Sequence, residues 1–91
     1  MSRYKHWWYP YINSMVRVYA EGKGGGERAE EIYRILSDAM DNFKPEERAI
    51  IDKIKKGCSY AQVANEQHYS IRHIQRIWNK YINTVGTKVG I

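Results

Sequence analysis

Ninety-one residues, 43% hydrophobic and 13% aromatic, are enough for one compact unit with a single core and little else. The only cysteine, Cys58, excludes an internal disulfide, and the absence of a signal-type apolar start or a run of roughly 18 apolar residues points to the cytoplasm and away from the membrane. The net charge of +5 is unevenly placed: residues 1–43 hold six Lys/Arg and six Asp/Glu, whereas 44–91 hold nine and four. Nucleic acid, an anionic membrane or mere solubility would each account for such a basic half, so the residue pattern has to decide.

Trp7, Trp8, Tyr11, Ile12, Met15, Val16 and Tyr19 recur at spacings of three and four, which predicts an amphipathic helix. Pro10 is tolerated at a helix start, where its missing N–H would be unpaired anyway, so the helix is expected from Pro10 to near Ala20, with Trp7 and Trp8 as a lead-in. Four glycines within Glu21–Gly26 cannot hold a helix and predict a mobile hairpin loop. No GxxxxGK[ST] and no preceding strand accompany them, so the loop is not read as a nucleotide site.

The next helix is expected from Glu27 to about Asn42, burying Ala29, Ile32, Tyr33, Ile35, Leu36, Ala39 and Met40, with Glu27, Glu30 and Glu31 at its positive end. A third starts at Lys44-Pro45-Glu46-Glu47, contributes Ala49, Ile50, Ile51 and Ile54 to the core, and ends at Gly57. The seam at 42–44 separates an aromatic-rich N-terminal helical pair, residues 1–43, from a C-terminal module, residues 44–91. The pair serves bracing or oligomerisation. Tyr4, Trp7, Trp8, Tyr9, Tyr11 and Tyr19 exceed what two short helices need internally, which leaves core filling and an interface both open. Arg3, Lys5 and His6 form a candidate basic arm.

After Gly57, Ser59-Tyr60-Ala61-Gln62 is a capping box that opens a short helix carrying Ala61, Val63 and Ala64. It stops near Gln67 to Tyr69, and Ser70 caps a longer helix running to about Val85. On that helix Ile71, Ile74, Ile77, Trp78, Tyr81, Ile82 and Val85 fall on one side. Arg72, His73, Gln75, Arg76, Asn79, Lys80 and Asn83 take the other, and no acidic residue interrupts them. Small Ala61 and Ala64 permit a close crossing of the two helices.

A helix with an exposed polar N-terminal half fits the major groove of duplex DNA. Arg72, His73, Gln75 and Arg76 are the candidates for base edges, since Arg and Gln pair bidentately with guanine and adenine. Asn79 and Lys80, farther along, are candidates for phosphates, as are Ser59, Tyr60, Gln62 and Ser70 at the helix N-termini and Lys55 and Lys56 beside the module. Trp78 and Tyr81 belong to the core. His68 and His73 have no nearby ligand set, so neither metal nor cofactor is expected, and no catalytic arrangement is legible.

The stretch Glu46–Val85, above all Gly57-Cys-Ser-Tyr-Ala-Gln-Val-Ala64 and Tyr69-Ser-Ile-Arg-His-Ile-Gln-Arg76, resembles the helix-turn-helix of region four of bacterial sigma factors. With the tryptophan- and tyrosine-containing N-terminus before it, the chain looks like a short member of the small phage regulators of the ArpU and RinA type. The resemblance implies an all-α fold of about five helices and a transcription regulator of a bacterial host cell that binds double-stranded DNA and is not an enzyme. Because a single module contacts few base pairs, a homodimer, tandem sites or help from RNA polymerase or a sigma factor is expected to supply specificity. A phage small terminase subunit, or an adaptor for polymerase or sigma factor, are the alternatives. The turn departs from the family pattern in lacking glycine at Gln67-His68-Tyr69, so His68 or a neighbour has to adopt positive φ.

Overall fold

The computed structural model describes residues 7–22 and 24–90; the candidate arm at Arg3, Lys5 and His6, and Tyr4, lie outside them. The order is α1 (Tyr9–Ala20), α2 (Ala29–Met40), α3 (Pro45–Lys55), α4 (Tyr60–Gln67) and α5 (Ile71–Val89). Among the described residues there is no strand, and α5 packs against each of the other four helices.

The apolar stripe of α5 makes it the hub. Ile74, Ile77, Trp78, Tyr81, Ile82 and Val85 recur at three and four, so one side of the helix is continuously apolar and all six are buried. Around it lie Ile12 and Val16 of α1, Ile32, Leu36 and Ala39 of α2, Ile50, Ile51 and Ile54 of α3, and Val63 and Ala64 of α4. Each fully buried aliphatic or aromatic side chain contributes about 1.5–3 kcal/mol, so the one core spans both halves of the chain. The N-terminal pair is therefore a wall of the core that also holds the C-terminal module.

Several local expectations are corrected. Helix α1 begins at Tyr9, with Pro10 second, because the first four N–H groups of a helix lack internal partners and either position suits proline. Trp7 and Trp8 do precede the helix, Trp8 as its N-cap, but Trp8 is buried, as is Tyr9, whereas Trp7 and Tyr11 are 87% and 66% exposed. The row Trp8, Ile12, Val16 at i+4 spacing points inward, which turns Trp7, Tyr11 and Val18 outward. The indole of Trp8 occupies the place a Cβ of Gly86 would take, so these two residues fit only because one has no side chain.

Helix α2 begins at Ala29 and ends at Met40, leaving Glu27 and Asn42 outside. The turn after it sends Phe43 into the core, edge-on to Tyr81. Tyr33 is exposed rather than buried, its ring edge-on to Tyr19. Ala49, Ala61 and Ile71 also face solvent, because Ile50 with Ile54, Val63 with Ala64, and Ile74 with Ile77 and Trp78 already fill the inward sides of their helices. Ala64 alone lets α4 approach α5 closely. Helix α5 runs on past Val85 to Val89, which packs against the core. The glycine loop folds back on Tyr19, whose hydroxyl donates to the Gly25 carbonyl at 3.1 Å while its ring covers Gly24.

Candidate nucleic-acid interface

Three local devices set the angle between α4 and α5. At the start of α4 the backbone N–H of Gln62 donates to Ser59 Oγ at 3.1 Å and the N–H of Ser59 donates to Gln62 Oε1 at 2.9 Å, the reciprocal bonds of the capping box. At its end His68 adopts φ 61° and ψ 40°, the left-handed conformation the glycine-free turn demanded. The N–H groups of His68 and Tyr69 both donate to the Ala64 carbonyl, closing the last turn. Ser70 is then extended, and its Oγ accepts from the N–H of His73 at 3.1 Å to start α5.

With its back buried, α5 exposes two adjacent i+4 rows. One is Arg72, Arg76, Lys80 and Thr84; the other is Gln75, Asn79, Asn83 and Thr87. Together they line a shallow open hollow of about 830 Å³. At 1.5 Å per residue the rows extend for roughly 22 Å along the helix. Glu66, the acidic side chain that precedes α5 in the sequence, lies on α4 and is paired with Lys53 at 3.1 Å, and α5 itself carries no Asp or Glu.

The hollow unites Arg72, Gln75, Arg76, Asn79 and Lys80, five of the residues singled out from the sequence. His73 is not among its lining residues; it is half-buried with its ring 4.4 Å from that of Tyr69. Ser59 and Gln62 bond to each other, and Ser70 caps, as described. Tyr60 turns into the core, where burial pushes its hydroxyl up and Arg17 stands beside it. Lys55 lies over the Tyr81 ring at 4.9 Å, and burial lowers its pKa against the opposing pull of Asp52. With Lys56 it borders a separate hollow of about 320 Å³, alongside Arg17 and Gly57. There the cations complement the carbonyl ends of α1 and α3.

Asn83, Thr84 and Thr87 were missed as site residues, although the i+4 rows continue to them in the sequence. Their chemistry differs from that of the first three turns. Thr84 Oγ1 donates to the Lys80 carbonyl at 2.8 Å and Thr87 Oγ1 to the Asn83 carbonyl at 3.0 Å, so both hydroxyl protons are spent on the helix itself. Neither has a donor left for an anion. Asn83 Oδ1 is buried with no hydrogen-bond partner. The cationic, donor-rich part of the face is Arg72–Lys80.

A polar seam on α1 supports that part from behind. Tyr9, Asn13 and Arg17 follow one another at i+4. The Tyr9 hydroxyl donates to Asn79 Oδ1, Asn13 Oδ1 accepts from the indole N–H of Trp78, and the Arg17 guanidinium lies 5.2 Å from the Trp78 ring centre. From α2's end, Phe43 offers its ring to Lys80, whose Nζ stands 5.4 Å from the centroid. Among the described residues no helix is long and apolar enough to cross a membrane, and no group of three or more His, Cys, Asp or Glu converges on a metal-sized site. The chain matches no protein-family model, no curated protein and no solved structure.

Proposed function

We propose that this chain is a sequence-specific regulator of transcription that binds double-stranded DNA by laying Arg72–Lys80 of α5 in the major groove. The observation that carries this reading is the pair of exposed rows on α5, rich in guanidinium, ammonium and amide donors and free of carboxylates, on a helix fixed by a buried back and a capped start. The major groove is about 12 Å wide and takes one helix. Arg72, Gln75 and Arg76 read base edges, Lys80 holds phosphate, and Asn79, which lines the hollow beside Arg76 and Lys80, reaches a base edge as well as phosphate. His73, packed on Tyr69, contributes through its ring's position at the helix start. Ser59, Gln62 and Ser70 present helix N-termini to the backbone. Lys55 and Tyr60, turned inward, serve the core. The likeness to region four of sigma factors and to small phage regulators agrees with this reading.

One module reads few base pairs, so specificity requires a second copy, tandem sites or polymerase. Exposed Trp7 and Tyr11 on the outer side of α1 favour a protein partner in addition to DNA, and this supports the adaptor as a second reading. Selection of bound sequences from a random duplex library, followed by a salt titration on any enriched duplex, tests the proposal. Enrichment of a short motif, with affinity falling steeply as salt rises, is expected. A folded protein that enriches nothing would turn the assignment to the adaptor.

A further inference from the structure

Asn79 stands where the donor-rich face of α5 meets α1. Its Oδ1 accepts from the hydroxyl of Tyr9, and the residue lines the same hollow as Arg76 and Lys80. A primary amide has one acceptor oxygen and one NH2 donor group. Tyr9 turns the oxygen, with both of its lone pairs, to the α1 side, which leaves the NH2 as the group toward a ligand in the hollow. We infer that Tyr9 sets the hydrogen-bonding polarity of this face, so that Asn79 meets duplex DNA as a donor alone. This rests on the DNA-binding reading above.

A donor-only amide matches phosphate oxygens, guanine O6 and N7, or thymine O4. It is unsuited to the two-point contact with adenine, in which the amide oxygen accepts from N6–H while the nitrogen donates to N7. Tyr9 is thus a positioning residue. Its ring is buried in the core and stands behind the hollow's lining. Burial pushes its hydroxyl up to about 12, so it keeps its proton, and its role as donor, under ordinary binding conditions. Elsewhere on the face Gln75 and Arg76 are exposed, and Lys80 is met by the Phe43 ring, which leaves its donors unchanged.

The test uses the full chain as wild type, Tyr9→Phe, Asn79→Ala and the double variant, each melted to establish folding, and selects bound sequences from a random duplex library at fixed salt. Tyr9→Phe keeps the ring in the core but lets the amide turn, so it should gain adenine at one position of the motif where the wild type disfavours it. Asn79→Ala should lose preference at that position, and adding Tyr9→Phe to it should change nothing further. On the wild type's own enriched duplex, Asn79→Ala should bind roughly fivefold more weakly, the worth of one hydrogen bond. If Tyr9→Phe loosens α1, Asn79→Asp takes its place: it keeps an acceptor for Tyr9 and turns an oxygen outward, so the preference should move to cytosine, whose N4 donates. Recovery of the wild-type motif base for base by Tyr9→Phe, or by Asn79→Asp, would overturn the inference while leaving DNA binding intact. A folded wild type that enriches no motif would overturn the DNA reading itself, and this inference with it.

Discussion

The indole N–H of Trp78 donates to Oδ1 of Asn13 across 2.8 Å, joining the back of α5 to α1. Trp78 is fully buried, so its donor has no water to turn to. Asn13→Ala leaves that donor unpaired and should cost about 1–3 kcal/mol. Substitution of the exposed neighbour Ser14 by Ala should stay within about 0.5 kcal/mol. Urea unfolding of the two variants measures the difference, and equal midpoints would show that the bond contributes nothing.

Gly86 lies inside α5, where alanine is ordinarily better than glycine by about 1 kcal/mol. The Trp8 indole reverses that preference, because it fills the space of the missing Cβ. Gly86→Ala should therefore destabilise by about 1–3 kcal/mol, the usual cost of overpacking. Pairing it with Trp8→Leu should cost less than the two changes summed, since the collision exists only when both side chains are present. A stabilised Gly86→Ala protein would contradict the fit.

His68 is exposed and holds φ 61°, a conformation that costs an L-residue roughly 1–2 kcal/mol. His68→Gly removes that cost while giving back part of it as freedom of the unfolded chain, for a net gain of up to about 1 kcal/mol. His68→Val, whose branched Cβ resists the left-handed region, should lose stability by a similar amount or more. Thermal melts that rank Val above Gly would refute the account of the turn.

On DNA, Arg76→Ala should lose about 1–3 kcal/mol on the selected motif with little change on random duplex, whereas Lys80→Ala should weaken both and flatten the salt slope by about one. Competition binding at two salt concentrations separates them. Equal losses on every sequence would contradict the division into base and phosphate contacts.

Burial holds the Tyr9 hydroxyl up to about 12 and raises that of Tyr81 as well, whereas both ionise near 10 in an unfolded chain. Above pH 10 the unfolded state releases protons that the folded state retains. The stability linked to these groups is full below about pH 10 and is lost as pH rises through the folded values. Lys55, lowered by burial, acts with the opposite sign, so the useful quantity is the difference between wild type and Tyr9→Phe, in which Lys55 cancels. Tyr9→Phe should lose less stability than wild type between pH 9 and pH 11.5 in urea unfolding; identical losses would remove Tyr9 from the titration.

Much of the helical framework was legible because its signals are local. Ser59 and Gln62, Ser70 with the amide three residues on, and Pro45 among acids each announce a helix start within four residues of chain. The absence of glycine in the turn called for positive φ at His68 or a neighbour, and the residue that adopts it is His68. The facing of α1 was not legible, because Trp7, Trp8, Tyr9, Tyr11 and Ile12 supply several apolar rows of similar weight. What selects the inward row is a vacancy at Gly86, against Trp8 in space but far from it in the sequence. The solvent exposure of Ala49, Ala61 and Ile71 has a related cause: their helices are short of partners on that side, and periodicity does not reveal how many neighbours a helix has. Nor does composition distinguish Asn79 from any other exposed amide until Tyr9 is brought beside it.

The seam between α1 and α5 joins residues 65 and 70 positions apart, so α1 leaves a ribosome well before its partners on α5 are made. Until Trp78 and Asn79 emerge, the apolar row of Trp8, Ile12 and Val16 has no α5 to rest on. These five helices consequently offer no finished sub-unit to fold early, and completion of α5 and docking of α1 form one cooperative step. Fragments released before that point carry the charges of the module without the buried framework that aims them.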